Sequence, residues 1–324
     1  MSLPVDGHRS PRVVVVGSIN IDYQIRTATL PRPGETVEGS QFLESHGGKG
    51  ANQAIAIARL DAHTSLVARI GANGVGAINH LNEFGVDTSN VRVDESVSTG
   101  IALIVVDASG EKTITVHRGA NERISVADVS AASDVIASAD ILMVQLEIPI
   151  DVVYYALKLG RELKTMTVLD PAPATALDDE LLVLVDVIRP NATEAETLTG
   201  VHVVDSGSAL RAAHELIRRG AGIAAVAAAG DGNVIASRDS EHCVPLFDVQ
   251  SIDATGAGDA FAAALAIRIW ESQPLQDAVE FASASAALAT TAMGAQTALP
   301  SRNAVEAFLK RQRNAGGAQA LKRM

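Results

Sequence analysis

An α/β fold, with a mostly parallel central sheet, helices on both faces and a small inserted β-sheet, follows from three observations on the 324-residue chain. Short β-branched runs recur along it, and helical patterns separate them. Two segments, 21–46 and 97–118, break that rhythm with strand patterns alone. Strands alternating with helices build βαβ units and hence a parallel sheet with helices on both faces.

"RVVVVGSIN" (12–20) opens the fold as a β-branched run ending near a glycine, the pattern of a strand covered on both faces. Segment 21–46 then reads as strands outside the main layer. "GANQAIAIARLDA" (50–62) has helical spacing, and "TSLVARIG" (64–71) is the next strand. "VSTGIALIVVDASGEKTITVHR" (97–118) is a hairpin with an Ala-Ser-Gly turn; with 21–46 it forms a β-flap able to act as a lid. The rhythm resumes with strands at 140–147, 166–173, 185–191 and 223–230, and helices at 151–164, 193–200 and 207–220. The domain spans 12–312, with 1–11 and 313–324 expected to be mobile tails. Ligands in such sheets bind beyond the C-terminal strand ends, where Asn20, Asp22, Glu147, Asp170 and Asn191 stand.

With 47% hydrophobic and 20% charged residues, the chain is globular rather than disordered. A net charge of −12 excludes a general nucleic-acid or anionic-membrane surface, so any phosphate site must be local. The single cysteine, Cys243, rules out an internal disulfide framework and suits a reducing cytoplasm; it reads as a buried or half-buried side chain. "MSLPVDGHRSPR" lacks an apolar stretch of signal-peptide length, and no run reaches a clean membrane span. The expectation is a soluble, cytoplasmic protein with no nucleic-acid or membrane partner.

Two glycine loops carry chemistry. "SHGGKGANQA" (45–54) is not a P-loop: the leading glycine would fall on Leu43 and the Ser/Thr on Gly50. The second, "SIDATGAGDAFAAALAIRIW" (251–270), turns at Thr255-Gly256-Ala257-Gly258 into a helix beginning near Asp259. Small residues let backbone N–H groups converge where the helix start adds positive charge, an anion site without a basic side chain. Asp259 has two readings there: it caps the helix, or it takes a proton from a nucleophile attacking a phosphate. The eight histidines show no metal spacing; His46 and His117 fall beside the lid.

"DATGAGD" (253–259) before an Ala/Phe-rich helix, and "GGKGANQA" (47–54), resemble the two signatures of the ribokinase-like (PfkB) carbohydrate kinases. "GSINIDY" (17–23), "PRPGETV" (31–37), "STGIALI" (98–104), "QLE" (145–147), "DPAP" (170–173), "PNATEAE" (190–196) and "GAQ" (294–296) extend the resemblance from about residue 12 to 312. It implies that the first glycine loop binds a sugar and the second binds phosphates. Lys49, Gly48, Asn52, Asn20, Asp22 and Glu147 would hold D-ribose. Asp259 would be the base for O5 as it attacks the γ-phosphorus of ATP. The N–H groups of Gly256, Ala257 and Gly258 would form the anion hole, with Asn191 and Gly230 also on the nucleotide side. Asn191 and Glu194 would organise Mg²⁺, Glu194 through water; as an alternative, the pair caps the helix starting near residue 193. Asp253 and Thr255, with Thr290, Met293 and Gly294, would hold a monovalent cation, K⁺ in the family. The lid implies a homodimer. The resemblance also leaves room for deoxyribokinase, fructokinase or nucleoside kinase activity, and for a sugar-binding sensor.

The nucleotide side departs from the family's pattern. Ala228 stands where a threonine is usual, Asp231-Gly232-Asn233 redraws the following turn, and Ser283 stands where a histidine is often found. A carboxylate at 231 would oppose a polyphosphate unless it points away.

Overall fold

Residues 9–321 are described by the computed structural model. From β1 (Arg12–Val16) the chain runs out through β2 (Asn20–Thr27) and β3 (Gly39–Gly47) and returns through α1 (Lys49–Arg59) to β4 (His63–Gly71). A short turn and α2 (Val75–Glu83) lead to β5 (Val91–Asp94), and the chain leaves again as β6 (Gly100–Val106) and β7 (Lys112–His117). Then come α3 (Val126–Ala131), α4 (Ser133–Ala137), β8 (Ile141–Gln145), α5 (Ile150–Leu163), β9 (Met166–Asp170) and α6 (Asp179–Leu182). β10 (Val187–Ile188), α7 (Ala192–Thr199), α8 (Ser206–Arg218) and β11 (Ile223–Ala227) complete the alternating part. β12 (Asn233–Ala236), β13 (Glu241–Val244), α9 (Ala257–Trp270), α10 (Leu275–Ala289) and α11 (Arg302–Leu321) follow.

The main sheet has nine strands in the order β13-β12-β11-β10-β9-β8-β1-β4-β5. All its pairings are parallel except β11–β12 and β12–β13. β1 shows why its sequence is apolar without alternation. Val13 and Val15 pack into the core under α1, α9 and α10, while Val14 and Val16 enter the opposite core under α3, α5 and α8. Each burial stabilises by roughly 1.5–3 kcal/mol relative to exposure, so neither face of the strand tolerates a polar residue.

α9 is buried from Asp259 to Ile267 because α1 and α10 flank it, and its alanines allow close approach. The hydrophobic stripe of α1 (Ile55, Ile57, Leu60) fills the same core.

The other two excursions form a separate four-stranded sheet, β3-β2-β6-β7, over the C-terminal end of β1. Its β6–β7 turn is held by Asp107, whose carboxylate accepts from the backbone N–H groups of Ser109 (2.8 Å) and Glu111 (3.0 Å). His46 and His117 lie on strands of this sheet.

Three expectations need adjustment. The sheet ends in an antiparallel β12–β13 hairpin that the alternating pattern does not foretell. Cys243, on its edge strand, is exposed rather than buried. Of the tails, 1–8 and 322–324 lie outside the described residues, and the backbone up to Leu321 continues α11. Among the described residues no helix is long and apolar enough to cross a membrane.

Candidate functional site

The site is built where the starts of α1 and α9 meet the ends of β1, β8, β9 and β10. Both helices begin on glycines with positive φ, Gly48 at 90° and Gly256 at 81°, and neither has a side-chain cap. At Gly48 a Cβ would meet the backbone of Ser18, Ile19 and Asn20 at 2.8–2.9 Å; at Gly256 it would meet the carbonyl oxygen of Ala295 at 2.4 Å. Glycine is required at both for conformation and for space.

Lys49, half-buried, is the cation at the centre. Its ammonium donates to Asp170 Oδ2 at 3.2 Å and lies 3.8 Å from Asp259 Oδ1. Burial opposes its charge, but Asp170, Asp259, Glu147 and Glu194 outweigh burial and raise its pKa above the ordinary value. The third N–H of the ammonium is left for a ligand.

Asp259 is buried in the first turn of α9 and does not cap it. Its Oδ2 accepts from Asn52 Nδ2 (2.9 Å) and its Oδ1 from Gln53 Nε2 (3.1 Å). Burial raises its pKa, with Asp170 adding repulsion; Lys49, Asn52 and Gln53 pull the other way without cancelling it. Asp259 is thus a buried carboxylate held by two amide donors, with the Lys49 ammonium 3.8 Å away, and it is not a structural cap.

Asn52 therefore orients Asp259, and is itself fixed by Gln296 Nε2 donating to its Oδ1 (2.9 Å). Gln53 also donates to Asp170 Oδ2 (2.8 Å) and accepts from Gln145 Nε2 (2.5 Å). These glutamines escaped the sequence reading because an amide inside an apolar run carries no motif. Asp170 was visible only as a strand end, and Arg189 carried no signal beyond its place beside Asn191.

On the side of β2, Asp22 Oδ1 is buried with no hydrogen-bond partner. Its carboxylate lies against Gly47, where a Cβ would stand 2.1 Å from Oδ2. Burial, then Glu147 and Asp259, push the Asp22 pKa up to about 7. Asn20 is held by Asn121, whose Nδ2 donates to its Oδ1 at 2.8 Å. Glu147 Oε2 accepts from the Lys49 backbone N–H (3.0 Å) and from the Ser18 hydroxyl, leaving Oε1 open. Asn20, Asp22, Gly48, Lys49, Asn52, Glu147 and Asp259 thus lie together in one polar cluster.

On the other side of Asp259 lies a cavity of about 620 Å³, walled by Gly230, Gly258 and Asn191 among others. Asn191 and Glu194 do cap α7: Glu194 N donates to Asn191 Oδ1 (2.9 Å), and Asn191 N to Glu194 Oε2 (2.7 Å). Burial, then repulsion from Asp170, raise the Glu194 pKa against the pull of Asn191, Lys49 and Arg189. Capping does not exclude a Mg²⁺ role. Asp170 Oδ1 is a buried oxygen without a partner, facing a second carboxylate, a setting that suits a hard divalent cation. Both Glu194 oxygens already accept bonds from Asn191, so Glu194 fits such an ion through water.

The turn at 228–233 points its charge away. Asp231 accepts from the Ser206 backbone N–H (3.0 Å) and the Ser206 hydroxyl, which hold its carboxyl below the usual range. Asn233 Nδ2 donates to Ser283 Oγ (3.1 Å) in the cavity wall.

The proposed cation loop is already tied. Asp253 Oδ1 accepts from Thr255 N (3.0 Å) and Oγ1 (2.6 Å), and Oδ2 from Gly294 N (3.1 Å). The Thr290 carbonyl accepts from both Ile252 N (2.7 Å) and Asp253 N (3.1 Å), leaving no lone pair for a cation. Thr290 therefore leaves the candidate set; Asp253, Thr255, Met293 and Gly294 remain beside one another.

Comparison with known proteins supplies an independent line. Residues 10–302 match the pfkB family of carbohydrate kinases. Ribokinase from Haemophilus influenzae is 37% identical over 300 residues, covering 92% of this chain and 98% of that protein. Deoxyribokinase from Salmonella typhi is 33% identical over 292 residues, 89% of this chain and 95% of that one. The structure of Arabidopsis thaliana ribokinase complexed with ribose and ATP superposes with a TM-score of 0.84 at 29% identity, covering 93% of this chain and 99% of that one.

Proposed function

The chain belongs to the pfkB family of carbohydrate kinases, and on that premise we propose that it transfers the γ-phosphoryl group of ATP to the 5-hydroxyl of D-ribose. The observation that carries this reading is Asp259: a buried, raised carboxylate standing between a hollow lined with polyol-binding groups and a nucleotide-sized cavity.

Ribose offers hydroxyl donors and acceptors to Asn20, to the unpaired Asp22 Oδ1, to Glu147 Oε1 and to the free N–H of Lys49. Asp259 accepts the O5 proton as the O5–P bond forms and the bond from phosphorus to the β-phosphate oxygen breaks, releasing ADP. The N–H groups of Gly256, Ala257 and Gly258 would bind the oxygens on which charge shifts, the Ala257 N–H giving up its 3.3 Å bond to Ala254 O to do so. Lys49 opposes the burial that raises the Asp259 pKa and balances the charge of Asp170 and Asp259 together.

Mg²⁺, when bound, would neutralise phosphate charge; Asp170 and, through water, Glu194 are the residues that would hold it, with Asn191 orienting Glu194. A monovalent cation such as K⁺ at Asp253, Thr255, Met293 and Gly294 would stiffen the anion loop. Pairing of two copies through the lid sheet and a cytoplasmic location belong to the same proposal; exposed apolar side chains on the lid and a lone cysteine support them.

The 33% identical deoxyribokinase keeps 2-deoxyribose as the second reading. Ribose is favoured because a missing hydroxyl leaves a buried acceptor of this hollow bare, a penalty that such sites turn into large discrimination. A coupled assay of ADP release with ATP, Mg²⁺ and ribose, 2-deoxyribose, fructose or adenosine, with and without K⁺, tests the proposal. Ribose should exceed the other acceptors in kcat/KM by about 100-fold or more. Faster turnover on 2-deoxyribose would replace the substrate; ribose binding without turnover on any acceptor would make the protein a sensor.

A further inference from the structure

We infer that Arg189 is the side-chain cation of the phosphate site, an assignment that rests on the phosphoryl-transfer reading above. Arg189 follows the last residue of β10, and its backbone N–H donates to Leu169 O at 3.0 Å, which fixes its Cα at the strand end. Its side chain crosses to the first turn of α9. A Cβ on Gly258 would lie 2.9 Å from Arg189 Nη1, so the guanidinium touches the anion loop itself. The guanidinium carbon sits 4.9 Å from the centroid of the Phe261 ring, one turn further along α9. Arg189, Gly258 and Phe261 all wall the nucleotide cavity, beside Asn191.

Two features mark this arginine as awaiting an anion. Among the described residues no carboxylate lies within ion-pair distance of it, and its Nε is buried without an acceptor. In a chain with net charge −12 and several carboxylates around Lys49, Arg189 has only the longer-range field of Glu194 and no direct ion pair among the described residues. The contact of the guanidinium carbon with the Phe261 ring steadies the group by a cation–π attraction. Its fork of N–H donors is left for a bidentate acceptor, and phosphate oxygens match that fork.

The neighbouring turn makes the need concrete. Ala227, Ala228, Ala229 and Gly230 carry no side-chain donor, and Asp231 is turned toward Ser206. Backbone N–H groups of the α9 start cover one side of the phosphate chain, and Arg189 supplies charge and donors from the next strand end. A side chain at 258 would have to displace the guanidinium from this position.

The test compares wild type, Arg189→Met and Arg189→Lys. Calorimetry measures the Kd of ADP with Mg²⁺ and, separately, of ribose without nucleotide; thermal unfolding of the ligand-free proteins checks the fold. Arg189→Met should weaken ADP by about 10-fold to 100-fold, as expected for a lost charge-assisted bond pair. Arg189→Lys should recover part of that loss, with the ribose Kd and unfolding midpoint unchanged in both. An unchanged ADP Kd in a folded Arg189→Met protein overturns the assignment. So does a loss shared by ADP and ribose with a lowered midpoint and no recovery in Arg189→Lys, which would make Arg189 packing for Phe261. Wild-type protein that binds ribose but not ADP overturns the phosphoryl-transfer reading, and this assignment with it.

Discussion

Asp259 and Asp22 are both carboxylates whose pKa the fold raises, yet they do different work. Asp259 accepts from two amide donors and lies 3.8 Å from the Lys49 ammonium; Asp22 has an oxygen with no donor. Replacing Asp259 by Asn keeps the shape and removes the proton acceptor. The expected result is a kcat lower by about 10³-fold, within the range for a lost general base, with the ribose Kd within a few-fold of wild type. A kcat within tenfold of wild type in a coupled assay would remove Asp259 from the role of base.

For Asp22, the pH dependence follows from its pKa near 7. If the ionised carboxylate accepts a ribose hydroxyl, ribose affinity should fall as pH drops below about 7, approaching tenfold per pH unit, and Asp22→Asn should flatten the profile. The stability sign is the reverse of the usual carboxylate. A raised folded pKa means that the stabilising, protonated form is present at low pH and is lost as pH rises from about 4 through about 7. Asp22→Asn should therefore raise the unfolding midpoint at pH 8 and do little at pH 3.5. Calorimetric titrations and melts across that range check both signs.

At the scale of elements, the site forms where α1 and α9 both begin on a glycine instead of a side-chain cap. The first N–H groups of α1 are taken up by Glu147 Oε2 and by Ser18, whereas at α9 the Ala257 N–H turns back to Ala254 O and the N–H groups around it carry the proposed anion site. Gly256→Ala adds a Cβ to a left-handed residue 2.4 Å from the Ala295 carbonyl oxygen. The loop must shift and the aligned N–H groups shift with it. Turnover should fall by about 10²-fold, the scale of a lost oxyanion donor, while ribose affinity stays within a few-fold. Equal losses in both would mean that the loop supports the sugar hollow as well. α7 makes the complementary point: its cap is also the pair expected to organise Mg²⁺, so one Asn-x-x-Glu serves helix and ligand together.

For the whole molecule, the lid is the part least finished by its own chain. Alternation along its strands puts Asn20, Asp22, Leu43, Ile114 and Val116 on one face, and Tyr23, Ile25, Phe42 and Leu103 on the other. Phe42 is 63% exposed and Leu103 54%, and Phe42 stacks on Tyr23 with centroids 6.0 Å apart. A sheet that shows apolar side chains to water on both faces is suited to a partner, and a second copy brings the same surface. Sedimentation should find a dimer for the wild type and a monomer for Leu103→Glu. A dimer that survives the substitution would place the contact elsewhere.

The alternation of β-branched runs with helical patterns, together with the two strand-only segments, determined the fold class and the separate small sheet, and the two glycine loops marked the helix starts at Lys49 and Ala257. Those features depend on local chemistry: a strand covered on both faces must be apolar throughout, and a tight turn against backbone must be glycine. Tertiary structure alone decided the rest. Whether Asp259 caps its helix or faces Asn52 and Gln53 depends on a helix 207 and 206 residues away in the chain. Gln145, Gln53 and Gln296 became part of the site because the sheet brought three distant amides together. Cys243 fell on an exposed edge because the sheet ends in a hairpin that reverses its direction. Arg189 lies two residues from a motif but points to another helix. Spacing along a chain encodes the period of an element; which buried polar groups meet across elements is set by packing, and the charge balance of this site lives there.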